Sequence, residues 1–132
     1  MPAEHKIDHN ARIIVTTWTG VATDGELIDA LLKYQEEIKG EPDYRAYNEM
    51  LDLSQTPKFE LTADGIRKLA KIAAKTDAPG VRNRVAIVVG APVAYGLGRM
   101  YETYRSLLPE TSKDVRVFRD RVKAMEWIEY KA

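Results

Sequence analysis

The stretch Asn83–Tyr104, NRVAIVVGAPVAYGLGRMYETY, decides the fold of this chain. It begins with Val85–Val89, the most apolar run in the sequence, and is then interrupted at Gly90-Ala91-Pro92. After the interruption, apolar residues recur at helical spacing, so the period changes from that of a strand to that of a helix. The stretch therefore predicts a buried strand, a tight turn and a helix, which together make one βα unit.

The sequence on either side repeats this alternation of strands and helices. An antiparallel hairpin is predicted from Glu4–Asp8 and Arg12–Thr19, which is rich in β-branched residues. The other predicted elements are a helix after Thr23, a strand at Tyr47–Leu53, a helix after Thr62, a strand at Val115–Phe118 and a terminal helix around Val122–Ile128. Strands joined through helices pair in parallel. We expect one α/β domain over residues 1–132, with a mostly parallel five-stranded sheet, an antiparallel N-terminal strand and four main helices.

Composition excludes several classes of function. The 132 residues are 45% hydrophobic and 30% charged, as expected of a folded domain, and 20 acidic residues balance 20 basic ones. A net charge of zero argues against nucleic-acid binding. The absence of cysteine excludes disulfides and thiolate chemistry and fits a cytoplasmic location. No apolar run reaches the roughly 20 residues that span a bilayer, so no membrane span is expected.

Few side chains form a catalytic pattern. His5 and His9, the two histidines, have the spacing of a zinc-binding helix. Here they fall in a predicted strand and turn, where such residues lie far apart, so we expect surface histidines and no metal site. Glu49 and Asp52 are three apart on a predicted strand, so their side chains point to opposite faces and cannot act as a pair. The sequence thus predicts a non-enzymatic protein without a cofactor.

Three glycines follow the apolar strand, where glycine-rich loops often bind phosphate. The spacing of Gly90, Gly96 and Gly98 matches neither G-x-G-x-x-G nor G-x-x-x-x-G-K-S/T. Gly90 fits the tight turn, but Gly96 and Gly98 lie in a predicted helix interior, where each costs about 1 kcal/mol. Either close packing on the sheet or a ligand or partner near the backbone would offset this cost.

One region resembles a known superfamily. Leu51-Asp52-Leu53-Ser54, followed by a loop and Thr62-Ala63-Asp64-Gly65-Ile66, is similar to the signature region of STAS domains, the SpoIIAA-like anti-sigma-factor antagonists. Ala94–Tyr101 and Val117-Phe118-Arg119 resemble small uncharacterised bacterial STAS-like proteins that are related to CRAL-TRIO domains. The resemblance implies a SpoIIAA-like (βα)4 superhelix.

The superfamily signature carries a phosphorylated serine, and this chain departs from it. With Gly65 aligned to the signature glycine, Asp64 occupies the serine position and Ala63 replaces the other serine. A carboxylate is not a substrate for a serine kinase, although it can imitate the charge of a phosphate. The resemblance therefore implies the fold, and whether a phosphorylation switch exists does not follow from it.

The carboxyl ends of the parallel strands, where α/β proteins place their sites, define a candidate binding edge. The residues expected there are Asp52, Ser54, Thr62, Asp64, Gly90, Tyr95, Gly96 and Arg99. Arg99 suits a carboxylate or phosphate ligand, or an ion pair with Glu102 or Asp64.

Two functions remain open. The first is a regulatory or signalling module that acts through this edge on a protein partner, or as a homodimer if one sheet face lacks helices and exposes apolar residues. The second, which the CRAL-TRIO relation would allow, is a carrier or sensor of a small apolar or acyl ligand. It requires a cavity between sheet and helices, lined by residues such as Trp18, Tyr34, Met100 and Tyr104.

Overall fold

The computed structural model describes residues 3–77, 82–109 and 113–129. In chain order the elements are β1 (Ala3–Asp8), β2 (Ile13–Trp18), β3 (Ala22–Thr23), α1 (Asp24–Ile38), a 3-10 helix (Pro42–Ala46), β4 (Asn48–Leu53), β5 (Phe59–Glu60), α2 (Ala63–Ala74), β6 (Asn83–Val89), α3 (Pro92–Ser106), β7 (Lys113–Phe118) and α4 (Arg121–Glu129). The predicted α/β architecture and its four main helices are confirmed. The sequence did not predict the 3-10 helix or the short strands β3 and β5.

The main sheet has the strand order β1-β2-β4-β6-β7. Strand β1 is antiparallel to β2, and all other neighbours are parallel, as predicted. The apolar run of the opening stretch forms β6, which lies between β4 and β7, and its residues Ala86–Val89 are all buried. A parallel strand that is covered on both faces is apolar throughout, which explains why polar and apolar residues do not alternate in this segment.

Helix α4 packs over one face of the sheet. Its buried residues Ala124 and Ile128 contact Met50 of β4 and Val88 of β6. A homodimer was expected if one sheet face lacked helices, but in the described part of the chain α4 covers the face opposite α1, α2 and α3. The homodimer therefore stays a prediction, but an uncovered apolar face of the sheet does not support it.

The other three helices lie over the opposite face. Helix α3 contacts β6 and β7, whereas α1 and α2 make their main helix contacts with each other and, through α2, with α3. Gln35 of α1 donates a hydrogen bond to the Ile72 carbonyl of α2 at 2.7 Å. The two helices are thus tied to one another rather than pressed onto the central strands.

The N-termini of α1 and α2 are joined by a relay of capping hydrogen bonds. Thr23 caps α1 by accepting from the Glu26 amide, and Thr62 caps α2 by accepting from the Gly65 amide. Asp24 accepts from both the amide and the hydroxyl of Thr62, at 3.0 and 2.6 Å. A Cβ on Gly65 would collide with the Asp24 carboxylate, so a larger residue here would displace Asp24 from Thr62. The pairing of β3 with β5 holds the two helix starts together.

The two helical glycines of α3 have different environments. A Cβ built on Gly98 would lie 2.5 Å from Val117 Cγ2, so this glycine lets α3 approach β7 closely. A Cβ on Gly96 would meet nothing within 4 Å. Close packing therefore accounts for Gly98 but not for Gly96.

The two glycines should respond oppositely to alanine. Gly96→Ala is expected to raise the free energy of unfolding by about 0.5–1 kcal/mol, because alanine loses less backbone entropy in a helix. Gly98→Ala is expected to lower it by about 1–3 kcal/mol, because Val117 must move. Chemical denaturation of both variants measures the two changes. Changes of the same sign would contradict the assigned packing.

Candidate functional site

The predicted binding edge is only partly assembled. Asp52 is buried and faces α4, where its carboxylate accepts hydrogen bonds from the Ser54 amide and hydroxyl at 2.9 and 2.6 Å. The Nε atom of Arg121 lies 3.4 Å from the other carboxylate oxygen. A Cβ on Gly90 would lie 3.1 Å from the Ser54 carbonyl, so this glycine lets the ends of β4 and β6 approach each other. Asp52, Ser54 and Gly90 thus meet, and their contacts serve the strand end itself.

Asp64 and Arg99 have separate partners. The Asp64 side chain is 84% exposed and pairs with Arg67 at 2.8 Å. Arg99 pairs with Glu102 at 3.2 Å, which is one of the two ion pairs expected for it. Glu102 also accepts a hydrogen bond from the Val117 amide of the edge strand β7 at 3.3 Å. Arg99 therefore orients the Glu102 carboxylate, which accepts a hydrogen bond from a backbone amide of the edge strand.

The remaining edge residues do not form a common polar site. Thr62 is engaged in the α2 cap, and Tyr95 is half-buried against the cluster that contains Trp18 and Leu53. Gly96 is exposed on α3. The eight edge residues therefore occupy one end of the sheet without converging on a single ligand position.

A cavity of about 200 Å³ lies between the sheet and helices α1, α2 and α3. Leu51 and Val85, on the central strands β4 and β6, are only half-buried although helices lie above them. Their exposed surface faces this cavity, because α1 and α2 are held away from the sheet. The apolar wall includes Ala3, Trp18, Leu27, Ala30, Leu31, Leu51, Leu53, Phe59, Leu61, Ile66, Leu69, Ala73, Val85, Ile87, Val89, Ala94, Leu97 and Tyr101.

The sequence predicted part of this wall. Trp18 and Tyr34 line the cavity as expected, but Met100 and Tyr104 do not. The Tyr104 ring instead lies 5.2 Å below the Arg67 guanidinium on the outer side. His5 was expected at the surface, and this is wrong. It is half-buried in the cavity wall, 2.7 Å from the Thr16 hydroxyl, because the inward face of β1 carries it.

One end of the cavity is polar. The Tyr34 hydroxyl of α1 donates to Glu49 Oε1 at 2.7 Å, and Lys113 Nζ donates to Glu49 Oε2 at 2.8 Å. Burial alone would raise the pKa of Glu49, but the Lys113 charge and the hydrogen bonds from Lys113 and Tyr34 hold that pKa below its ordinary value. Burial, followed by the Glu49 charge, raises the pKa of the Tyr34 phenol, so this hydroxyl remains a donor.

A second buried pair lies beside the first. Arg105 of α3 donates through Nη2 to both carboxylate oxygens of Asp77, at 2.9 and 2.8 Å. The side chains of this pair are 4% and 0% exposed. Arg105 also donates through Nη1 to the Tyr101 hydroxyl at 3.0 Å. The pair therefore ties α3 to the segment that follows α2.

The sequence did not predict Glu49, Arg105 or Lys113 as site residues, although two of these positions carry a recognisable pattern. Glu49 has the same strand parity as Leu51 and Leu53, so a carboxylate stands at an inward-facing position. Arg105 follows Tyr101 at helical spacing on the inner stripe of α3. A charged residue at a core position indicates a paired or functional group. Glu49 and Asp52 do point to opposite faces of the sheet, as predicted.

The comparisons with known proteins establish the fold. No protein-family model matches the chain, and no curated protein matches it. Among solved structures, it is similar to an uncharacterised protein of the DUF3478 family with a SpoIIAA-like fold from Shewanella loihica PV-4. The two share 14% sequence identity and a TM-score of 0.58 over 96% of this chain and 91% of the other. The chain has the SpoIIAA-like fold that the STAS resemblance implied, and the CRAL-TRIO relation stays a prediction.

In residues 3–77, 82–109 and 113–129, no group of three or more His, Asp or Glu side chains could hold a metal ion. None of the helices in those ranges is both long and apolar enough to cross a bilayer.

The ion pair between Glu49 and Lys113 should make the free energy of unfolding depend on pH. Glu49→Gln is expected to lower the free energy of unfolding by about 3 kcal/mol near neutral pH, because it leaves Lys113 buried without a carboxylate. The folded-state pKa of Glu49 lies below the ordinary 4.5, so its contribution is present above that pH and is lost as pH falls through the folded pKa. Urea unfolding of wild type and variant should therefore show a difference that shrinks below about pH 4.

Glu126→Gln, an exposed position on α4, is the matched control and should change stability little at any pH. A wild-type advantage over Glu49→Gln that stays constant on acidification would contradict the assigned role of the Glu49 carboxylate.

Proposed function

We propose that this protein is a non-enzymatic carrier or sensor that binds a small, largely apolar molecule inside its fold. The cavity of about 200 Å³ under α1, α2 and α3 carries the proposal. Ligand sites are typically concave and mostly apolar, with a few placed polar groups, and this cavity has that composition. An engineered apolar cavity of about 150 Å³ binds benzene, so the present volume suits a ligand of about eight non-hydrogen atoms.

The ionised side chains of the wall support binding rather than catalysis. Glu49 is engaged by Lys113 and Tyr34, and Arg105 is engaged by Asp77 and Tyr101. General acid–base catalysis needs a group that can exchange a proton with the substrate at the working pH. The lowered pKa of Glu49 and the raised pKa of Tyr34 move both groups away from neutral pH.

A regulatory module acting through the binding edge is the second candidate. Val93 is 75% exposed at the start of α3, and the preceding Ala91 and Pro92 are also exposed. This small apolar surface, together with the exposed Asp64, suits contact with a protein partner. Affinity capture with wild type and Asp64→Lys tests it, and a specific partner lost in the variant is the supporting result. Recovery of the same proteins by both would count against the edge.

Ligand binding should be visible by methyl NMR. Titration with benzene or hexan-1-ol is expected to shift the methyl signals of Leu51, Val85 and Ile87, which face the cavity. The signals of Val93 and Leu107, which are highly exposed, should stay in place.

A pair of substitutions on α1 provides the control. Ala30→Phe places a ring in the cavity and should abolish the ligand-induced shifts, because Ala30 lines the wall. Leu32→Phe introduces the same ring at an exposed position of the same helix and should leave them unchanged. Cavity methyls that do not respond to either ligand in the wild type would refute the proposed function.

A further inference from the structure

We infer that the cavity selects an uncharged ligand with an apolar body and one hydrogen-bond acceptor, and that it discriminates against both carboxylates and amines. This inference rests on the proposed ligand-binding function. It specifies the chemical class of the ligand from the charges at the polar end of the same cavity.

The charges at the polar end cancel within the protein. Glu49 and Lys113 form one pair, with side chains 19% and 8% exposed, and Asp77 and Arg105 form the other. Each carboxylate is hydrogen-bonded to its cation at 2.8 to 2.9 Å. Two positive and two negative groups therefore leave no net charge for a charged ligand to neutralise.

A charged ligand head would have to break one of these pairs. A carboxylate entering the cavity loses its water shell and finds the charge of Lys113 balanced by Glu49 and that of Arg105 balanced by Asp77. An ammonium group finds the charge of Glu49, the carboxylate in the cavity wall, balanced by Lys113. Because an unpaired charge in an apolar interior is strongly disfavoured, both ligand types are discriminated against.

Tyr101 offers a contact to a neutral head group. Its oxygen accepts the hydrogen bond from Arg105 Nη1 at 3.0 Å, which leaves the phenolic hydrogen for donation to a ligand. The side chain is half-buried in the cavity wall. Burial raises the pKa of this phenol more than Arg105 lowers it, so the hydroxyl stays protonated. A hydroxyl, ketone or ester oxygen is the matching acceptor.

The fold also fixes the direction of the ligand. Glu49 aligns with Ile14 and Val85 near the amino ends of the parallel strands. Trp18 and Val89 lie at the opposite ends of β2 and β6 and continue the apolar wall. The polar head therefore lies near Tyr101, and the apolar body extends toward Trp18.

Three ligands of equal chain length test this selection. Hexan-1-ol, hexanoate and hexylammonium are titrated into the wild-type protein at neutral pH, and affinities are read from the cavity methyl shifts. Hexan-1-ol is expected to bind at least about tenfold more tightly than either ion, which corresponds to about 1.4 kcal/mol. Hexanoate or hexylammonium binding as tightly as the alcohol would overturn the inference and leave the proposed function standing. No binding of any of the three would overturn the inference, and if benzene also gave no response it would overturn the proposed function as well.

Two variants of the same ion pair test the cause. Glu49→Gln leaves the Lys113 charge in the cavity, so hexanoate should gain affinity relative to hexan-1-ol by about tenfold or more. Lys113→Met removes the same pair without leaving a cation, and hexanoate should not gain. An equal hexanoate preference in both variants would contradict the charge mechanism. If a variant fails to fold, the wild-type comparison of the three ligands still decides the inference.

Discussion

The hydrogen bond from Tyr34 to Glu49 joins α1 to β4, the central strand of the sheet, at a distance of 2.7 Å. It is made by long side chains rather than by direct contact between helix and strand. Arg105 and Asp77 make a similar link between α3 and the end of α2. Between these polar links the helices and the central strands are separated, and this separation creates the cavity. Glu49, Arg105 and Lys113 line the polar end of the cavity, where the Tyr34 to Glu49 hydrogen bond joins α1 to β4.

The two faces of the sheet differ in how they are closed. On the α4 face, Met50, Val88 and Ile128 form a dense apolar core. On the other face, α1 and α2 are fastened to each other by the Asp24 to Thr62 cap and the Gln35 to Ile72 hydrogen bond. Because these hydrogen bonds join one helix to the other, they stabilise the helical layer without packing it against Leu51 and Val85. The α4 face is closed by direct helix-to-strand packing, whereas the other face combines the apolar cluster around Trp18 and Val89 with the cavity.

The sequence was sufficient for the fold because its local signals agree. The apolar run Val85–Val89, the capping threonines Thr23 and Thr62, and the hairpin before Trp18 each specify one element, and the alternation of elements specifies parallel pairing. The short pair β3 and β5 was missed because two-residue strands have no periodicity. Gly98 shows what the sequence alone does not provide. Its place in a predicted helix interior indicated an energetic cost, but only the position of Val117 explains why a glycine is needed there.

The candidate site was harder to predict from the sequence than the fold. Composition and spacing indicated the strand-end edge, where the structure pairs Arg99 with Glu102 and Asp64 with Arg67. The cavity depends on how far α1 and α2 lie from the sheet, which is a tertiary property that no local pattern encodes. Glu49 could have been found from its strand parity with Leu51 and Leu53, but its partner Lys113 is 64 residues away.

A crystal structure determined under xenon pressure would test most directly whether a ligand-sized apolar space stands beneath α1, α2 and α3. Xenon enters dry apolar cavities and scatters strongly. A xenon peak is expected between Leu51, Val85 and Ala73, with the surrounding side chains in place. Helices packed onto the central strands, with no xenon between them, would contradict the presence of this cavity.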